Sequence, residues 1–582
     1  MTVISPATSS RCKEHLAEIY HNMSACYRYQ GRVTVARAYE KMAIEISKLK
    51  NDIGNYLHAA QNGELSDLPD TLIRDLREFA STGTLRKYMR LIQKVPVELL
   101  EILEVKGFGA KLVRKLYEEL NIGTIEQLKA FIISGKLKRV RGLSNAKIDD
   151  LKRSLKLYKS KGSRLLLWDA ILQGNEILRV IRLIPEVDAA SLTGSLRRGA
   201  ETVGDIDMVI KVADEDRERF LQHLMEVPQV QSLAAAGRKR VAAVLYNDTQ
   251  LDIRIADDDT YGGTLLYYTG ALEHISQLSE RAQKKGFELT AQGLFELESG
   301  VHVAGRTEED IYRRLGLSFI PPELREGGRE IFRAARNMLP ELIHASQMKG
   351  DMRIHTNYGK GEDSISSIAH YALNAFPHYE YIVISDQLPA AAYAGQFAEI
   401  DRVNRSIGFP FLKKGIVVEM MEDGSTGIPD ELLQQADWVT AVINETDAEH
   451  YRNKLIQACE HPYINCIANP TGRIIGQQEP GPQDWSQIFK RAALTGTALE
   501  INAQPQRLDL SDHLLKGAAE KGVKIVINSC AQLCSHYDYM QMGVIMARRG
   551  WCSRENVLNT LPWEEVEGFK RLSAANARVK LH

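Results

Sequence analysis

The sequence predicts a multidomain α/β protein with a helical N-terminal part, a central α/β domain and a C-terminal domain of alternating strands and helices. Three observations carry this. At 582 residues the chain exceeds what one hydrophobic core can serve, and about three to five domains are expected. The stretch Ala36-Arg-Ala-Tyr-Glu-Lys-Met-Ala-Ile-Glu-Ile-Ser-Lys-Leu49 repeats its apolar residues at helical spacing. Strand-like runs rich in β-branched residues fall at Asp205–Val212, Arg240–Tyr246 and Thr249–Ala256, with a hairpin signal at Asn247-Asp248. Further along, Tyr381–Ser385, Gly415–Glu419, Trp438–Ile443 and Val523–Asn528 alternate with helical stretches, which indicates a β/α layout.

Composition narrows the class. With 44% hydrophobic and 26% charged residues the chain reads as an ordinary globular protein. No apolar run approaches ~18 residues, so no membrane span or membrane partner is expected. The opening Met-Thr-Val-Ile-Ser-Pro has no basic and apolar leader, and seven cysteines without paired spacing suit a reducing cytoplasm. A net charge of −1 hides an asymmetry: Lys106 to Arg164 holds sixteen Lys/Arg against five Asp/Glu, which suits contact with a nucleic-acid backbone or a solvated basic helical face. Inside it, Val105-Lys-Gly107-Phe-Gly109-Ala-Lys111 has a glycine–hydrophobe–glycine turn that lets backbone approach a phosphate. A second unit, Val140-Arg-Gly142-Leu-Ser144-Asn-Ala-Lys147, keeps only its first glycine. A plain helical turn is the alternative for both.

The most informative run is Gly194-Ser195-Leu-Arg197-Arg198-Gly199-Ala-Glu-Thr-Val-Gly204-Asp205-Ile-Asp207. Period 2 puts Asp205 and Asp207 on one face of a strand. Two carboxylates so close repel each other unless a cation lies between them, and hard cations such as Mg²⁺ or Mn²⁺ take such oxygen ligands together with phosphates. The Gly194-Ser195 turn offers backbone N–H groups and a hydroxyl to a phosphate, and Arg198 a planar two-pronged donor. A hairpin with an acidic outer face is the bland alternative. Asp252, on the later strand with Arg254, is the best candidate for a third carboxylate.

These residues resemble the catalytic palm of family X DNA polymerases, in the nucleotidyltransferase superfamily. Tyr267-Tyr268-Thr269-Gly270, followed by Gly286-Phe-Glu-Leu-Thr-Ala-Gln-Gly293-Leu-Phe, is similar to the nucleotide-selecting subdomain of that family. Ala468-Asn-Pro-Thr-Gly-Arg473, Leu499-Glu-Ile-Asn502 and Met542–Trp551 resemble the PHP (polymerase and histidinol phosphatase) domain of bacterial PolX enzymes. The resemblance implies a lyase-like helical domain over 1–80 and a helix-hairpin-helix DNA-binding subdomain over 81–164. A polymerase β-like palm over 165–260 and a nucleotide-selecting subdomain over 261–325 follow. A linker over 326–348, where the Pro/Gly-rich Ile320–Gly328 marks a boundary, leads to a PHP distorted β/α barrel over 349–575.

The function so implied is gap-filling DNA synthesis in repair. Asp205, Asp207 and Asp252 would hold two Mg²⁺ or Mn²⁺ ions; Ser195, Arg198 and the backbone of Gly194 and Gly204 would grip the triphosphate. Tyr267 and Tyr268 would pack on the sugar, with Gly270 allowing close approach. Gly107, Gly109, Lys111, Gly142, Lys147 and Arg254 would touch DNA. Gapped or primed DNA and deoxynucleoside triphosphates are the expected partners of a monomeric, cytoplasmic, nucleoid-associated enzyme.

Departures from the family pattern matter as much. Where the barrel's metal-binding Asp-Leu-His-x-His opens, this chain has Asp351-Met-Arg353-Ile-His355. Ser-Asp-Gly is Gly359-Lys360-Gly361, Ile-Thr-Asp-His is Ile384-Ser-Asp-Gln387, and a glutamate is Val417. Later histidine positions are Asn444 and Asn469, and the last Asp-x-His is Cys530-Ala-Gln532. Only His355 survives at the aligned ligand positions, so no intact PHP metal cluster is expected; Cys530, Cys534 and His536 lack the spacing of a replacement site. The lyase lysine is also missing, with Asp75 near its position. Ile275 and Ser279 replace an asparagine and an arginine that contact nucleotide and template, which predicts weaker nucleotide binding. Two alternatives stay open: a 3′–5′ exonuclease or abasic-site endonuclease run by the barrel, and a non-catalytic DNA-end scaffold.

Overall fold

The computed structural model describes residues 6–48, 74–75, 78–79, 85–92, 95, 99, 102–103, 109–120, 122, 127–128, 164–247, 249–445, 447–478 and 484–569. The chain divides into two compact units, Met1–Ser163 and Arg164–His582. In the first, helices α1 (Pro6–Tyr29), α2 (Val33–Lys48), α3 (Arg86–Ile92) and α4 (Ala110–Leu120) are described. Their inward residues, among them Leu16, Tyr20, Ile46, Leu85, Val113 and Leu116, form one apolar cluster. The helical spacing of 36–49 thus becomes α2, with Ile46 fully buried.

The second unit starts with a five-stranded sheet. After the short β1 (Leu165–Leu166) and α5 (Leu167–Ile181) come β2 (Ala189–Leu192), the one-turn α6 (Gly194–Arg197), β3 (Thr202–Val203) and β4 (Ile206–Lys211). The chain continues through α7 (Arg217–Glu226), β5 (Val230–Ala236), β6 (Arg240–Leu245) and β7 (Gln250–Ala256). The sheet order is β2-β4-β7-β6-β5. Only the β4–β7 pair is parallel; its neighbours are antiparallel. Helices α5 and α7 cover one face, where Ile177, Ile181, Phe220 and Leu224 meet Ile206, Met208, Ile210, Leu251 and Ile253. Alternation leaves Asp207 and Asp252 on the other face.

Helices α8 (Tyr261–Thr269) and α9 (Leu272–Lys284) lead into a three-stranded antiparallel sheet of β8 (Phe287–Thr290), β9 (Gly293–Glu296) and β10 (His302–Ala304). Helix α10 (Glu308–Arg314) follows, capped by Thr307, whose hydroxyl accepts from the Asp310 N–H. The segment read as a linker is packed: Ile331, Ala334 and Leu342 join the core of this subdomain with Leu266, Ile275 and Tyr312.

Seven parallel strands then follow in chain order as neighbours: β11 (Gly350–Ile354), β12 (Tyr381–Ile384), β13 (Leu412–Glu419), β14 (Trp438–Val442), β15 (Cys466–Ile467), β16 (Ala498–Asn502) and β17 (Ile525–Asn528). First and last strand meet through side chains, Asn528 Oδ1 accepting from Met352 N (3.2 Å) and Asp351 Oδ2 from Ser529 N (3.2 Å). The result is a nearly closed parallel barrel, strongly apolar as strands covered on both faces must be. Its main cluster takes in Leu167 and Ala170 of α5, Leu196 of α6 and Val203 of β3, so the barrel shares a core with the elements that flank the five-stranded sheet.

One buried ion-pair node joins the sheet to the α8–α10 subdomain. Glu308 accepts from Arg197 (2.8 and 2.7 Å) and from Arg325 (2.6 Å), and Arg325 is wholly buried. Burial opposes ionisation of Glu308, but the two guanidiniums prevail and hold its carboxyl down at about 2. A carboxyl depressed in the folded state contributes stability above its ordinary value of 4.5 and loses it as pH falls toward 2. Glu308→Ala, which leaves Arg325 buried and unpaired, is expected to cost about 3–5 kcal/mol in denaturant unfolding and to flatten that acid leg of the stability profile.

Candidate functional site: carboxylates, arginine-rich turn and barrel cavity

Asp207 and Asp252 are direct partners across the parallel β4–β7 pair, so their Cα atoms are about 4.8 Å apart by strand spacing. Asp205 lies at the bend leading into β4. Asp252 is buried, and its carboxylate accepts from Arg240 Nε at 3.1 and 2.9 Å; Arg254 Nε lies 3.5 Å away. Among the described residues no three Asp, Glu, His or Cys side chains are gathered as a metal-holding group. The strand framework aligns the carboxylates, while Arg240 engages the third of them. Arg240 escapes a sequence reading because it is a diagonal neighbour: it pairs with Arg254 in the β6–β7 hairpin, two residues beyond Asp252 and on the same face.

The turn before β4 is shaped around Asp207. Gly194 has φ +63, and a Cβ there would run into the Asp207 carboxylate. Thr193 N donates to Asp207 O (2.9 Å), and Thr193 Oγ1 meets Thr269 Oγ1 (2.8 Å). Thr269 Oγ1 also accepts from Arg197 Nη1 (2.8 Å), while Arg198 Nη1 donates to Thr269 O (2.8 Å). Thr269 is thus a hub that sequence reading saw only as part of a motif. Ser195 is half-buried in this turn, and Gly204 approaches Arg164, which itself donates to Thr202.

Arg198 is held rather than free. Its Nε donates to Glu326 Oε1 (3.0 Å), which also accepts from Arg549 Nη1 (2.7 Å). Arg549 stands at the end of barrel helix α11 (Met540–Arg549) and donates in addition to Arg198 O (2.8 Å). A Cβ at Gly199, φ +66, would strike Ile545 of the same helix. Arg473 of the barrel donates to Glu201 (2.7 Å). The back of the turn is therefore seated on the barrel.

Tyr267 and Tyr268 stack edge to face at the end of α8, with ring centres 5.5 Å apart. Arg254 lies 4.3 Å over the Tyr268 ring, between it and Asp252, instead of projecting as a free contact. Gly270 is required by packing, since a Cβ would crowd His274 and Ile275. Ile275 is buried in the core of its own subdomain and Ser279 is half-buried on the same helix. In the N-terminal unit, Gly109 precedes α4 and Lys111 is exposed on it; Gly107, Gly142 and Lys147 lie outside the described residues. Asp75 is buried, accepting from Tyr20 OH (3.3 Å) and Lys87 Nζ (3.2 Å).

The positions where the family pattern places barrel metal ligands converge. Arg353, His355, Lys360, Gln387, Val417, Asn444, Asn469, Cys530 and Gln532 all line one cavity of about 1000 Å³. Glu500 beneath it accepts from Arg353 Nη1 (2.9 and 3.2 Å), Asn469 N (2.9 Å) and Asn528 Nδ2 (2.8 Å).

The family model described as the DNA polymerase beta thumb matches residues 264–326, the stretch that holds most of α8, α9, β8–β10 and α10. A Bacillus subtilis (strain 168) protein named DNA polymerase/3′-5′ exonuclease PolX is 31% identical over 507 residues, covering 85% of this chain and 88% of that protein. No described helix is long and apolar enough to cross a membrane. Strand framework, thumb match and near full-length similarity together mean that the chain belongs to the bacterial PolX branch of the family X DNA polymerases.

Proposed function

We propose that this family X DNA polymerase fills gaps in primed DNA by nucleotidyl transfer at the β4–β7 carboxylates, and that its barrel is no longer a nuclease. The observation that carries the first part is the register that sets Asp207 opposite Asp252, beside a turn that only glycine fits at 194. Asp205, Asp207 and Asp252 offer the hard oxygen donors that Mg²⁺ and Mn²⁺ prefer, provided that Arg240 withdraws from Asp252. Arg240 is half exposed, so its guanidinium is rehydrated on withdrawal, and the ions take its place beside the buried Asp252. Two such ions, when bound, lower the pKa of a primer hydroxyl and neutralise triphosphate charge.

The chain's own residues do the rest. Ser195 and the Gly194 and Gly204 backbone bind phosphate oxygens, and Arg198 exchanges Glu326 for a phosphate. Glu326 is not stranded by that exchange, because Arg549 still pairs with it. Tyr267 and Tyr268 shape the sugar pocket. With Ile275 committed to the thumb core, base selection loses one hydrogen-bonding side chain, at about 1 kcal/mol. Gapped DNA bound partly through Gly109, Lys111 and the basic 106–164 segment, action as a monomer, and a cytoplasmic, nucleoid-associated setting complete the proposal. The loss of nuclease function rests on the replaced ligand positions, because arginine, lysine, valine and amide side chains do not ligate Mn²⁺ or Zn²⁺.

Asp207→Ala is expected to lower primer extension on a one-nucleotide gap by about a thousandfold or more, since metal polarisation is worth several kcal/mol, with DNA affinity retained; undiminished extension would falsify the assignment. Arg240→Ala is expected to tighten Mn²⁺ binding to the DNA-free protein by at least about fivefold, read by electron paramagnetic resonance, because a pair with one buried member is worth no less than the ~1 kcal/mol of an exposed one. With Mn²⁺ present, the full chain is expected to leave a 3′ overhang intact. Degradation that persists in Asp205→Ala/Asp207→Ala would return nuclease function to the barrel.

A further inference from the structure

The barrel cavity lies where the family's pattern puts a metal cluster, yet its lining cannot hold one. What replaces the ligands has a consistent chemistry. Arg353 stands in place of a histidine and Lys360 in place of an aspartate; the other changes bring in amides, a thiol at Cys530 and an apolar side chain at Val417. Positive charge once supplied by bound ions is now supplied by side chains.

The charge balance inside the cavity is specific. Arg353 is neutralised from below by Glu500 (2.9 Å), and Glu445 at the rim by Lys454 (3.2 Å). Lys360 and Arg507 also line the cavity, and among the described residues neither has a carboxylate within ion-pair distance. The buried Nε of Arg353 has no hydrogen-bond partner, an arrangement that is costly unless something polar completes it; His355 Nδ1 faces the buried Asp386 carboxylate at 3.8 Å. Lys360, Arg507 and the Arg353 Nε thus leave the space cationic.

Shape narrows the ligand. A volume of about 1000 Å³ is at the upper end of small-molecule sites. One wall, Val417, Val442 and Ile443, is apolar, while Gln387, Asn444 and Gln532 add amides that both donate and accept. Arginine and lysine are the side chains that bind phosphate, arginine through paired N–H donors and lysine as a point charge. The apolar wall and the amides suit a flat heteroaromatic body with hydrogen-bonding edges.

We propose that this cavity is a metal-independent binding site for the phosphate monoester of a nucleotide, with Lys360 and Arg507 as phosphate contacts and Arg353 completing the cationic floor. No bond is made or broken; the proposal is binding alone. It stands apart from the palm chemistry, since it uses none of the palm residues.

Calorimetric titration of dAMP into the full chain, in excess EDTA, tests it. Saturable binding is expected, weakened at least about tenfold, ~1.4 kcal/mol, by Lys360→Glu and likewise by Arg507→Gln. Lys360 is exposed, so its variant keeps the fold, which an unchanged thermal transition verifies. Inorganic phosphate is expected to compete and deoxyadenosine not to. A single strand ending in a 3′-phosphate that competes better than dAMP would assign the site to strand ends; weaker competition would assign it to free nucleotide. The proposal is overturned if dAMP does not bind, if binding requires a divalent ion, if deoxyadenosine competes equally, or if binding is lost in Asp207→Ala and survives both cavity variants. Primer extension reads the palm separately, so failure of either proposal leaves the other standing.

Discussion

One parallel strand pair sets the geometry of the polymerase half. β4 and β7 are the only parallel neighbours in a sheet whose other pairings are antiparallel. A parallel pair needs a long return path, and α7 with the β5–β6 hairpin provides it. Register then does two jobs together. Ile206, Met208 and Ile210, with Leu251, Ile253 and Ile255, face the helices, while Asp207 and Asp252 come opposite each other on the far side. A slip of one residue would push carboxylates into the apolar layer. The hydrophobic core therefore enforces the alignment of the acids.

Around that pair, charge is distributed so that no group is left alone. Arg197 spans Thr269 and Glu308, and Arg325 closes the node from within the thumb. Arg198 and Arg549 share Glu326. The exposed Glu326 tolerates the departure of Arg198, because Arg549 and water keep it solvated. In the same way Asp252 is held by Arg240 and approached by Arg254. Both arrangements keep anionic groups compensated before substrate or metal arrives.

What could be read from the sequence was local. The alternation in 205–212, the hairpin between Arg240 and Ala256, and α2 follow from periodicity within a few residues, and strands such as Tyr381–Ile384 and Trp438–Val442 stood out as apolar runs. Contacts between distant residues were not legible. Arg197 and Glu308 are 111 positions apart, and Arg549 reaches the Arg198 carbonyl across 351. Nothing in the 326–348 stretch announces that Ile331 and Leu342 pack into the thumb core, since scattered apolar residues carry no period. Ile275 shows how one position reads differently at two levels. As a motif position it is a lost nucleotide contact; in the folded chain it is core.

The barrel interior shows how buried carboxylates are compensated by side chains of the barrel itself. Stripping ions from an acidic pocket would leave buried carboxylates repelling one another. Here Glu500 is instead matched by Arg353, two backbone or amide donors and a thiol. Burial raises the carboxyls of Asp351 to about 7 and Asp509 to about 6, against the backbone N–H donors that favour their charged forms. The compensation is internal, and the barrel's helix α11 contacts Gly199 and Arg198 from behind. Because Leu196 and Val203 lie in the barrel's own apolar cluster, removing the barrel would expose the underside of the turn that bears Ser195 and Arg198. The turn therefore depends on the barrel's packing surface and not on what its cavity holds.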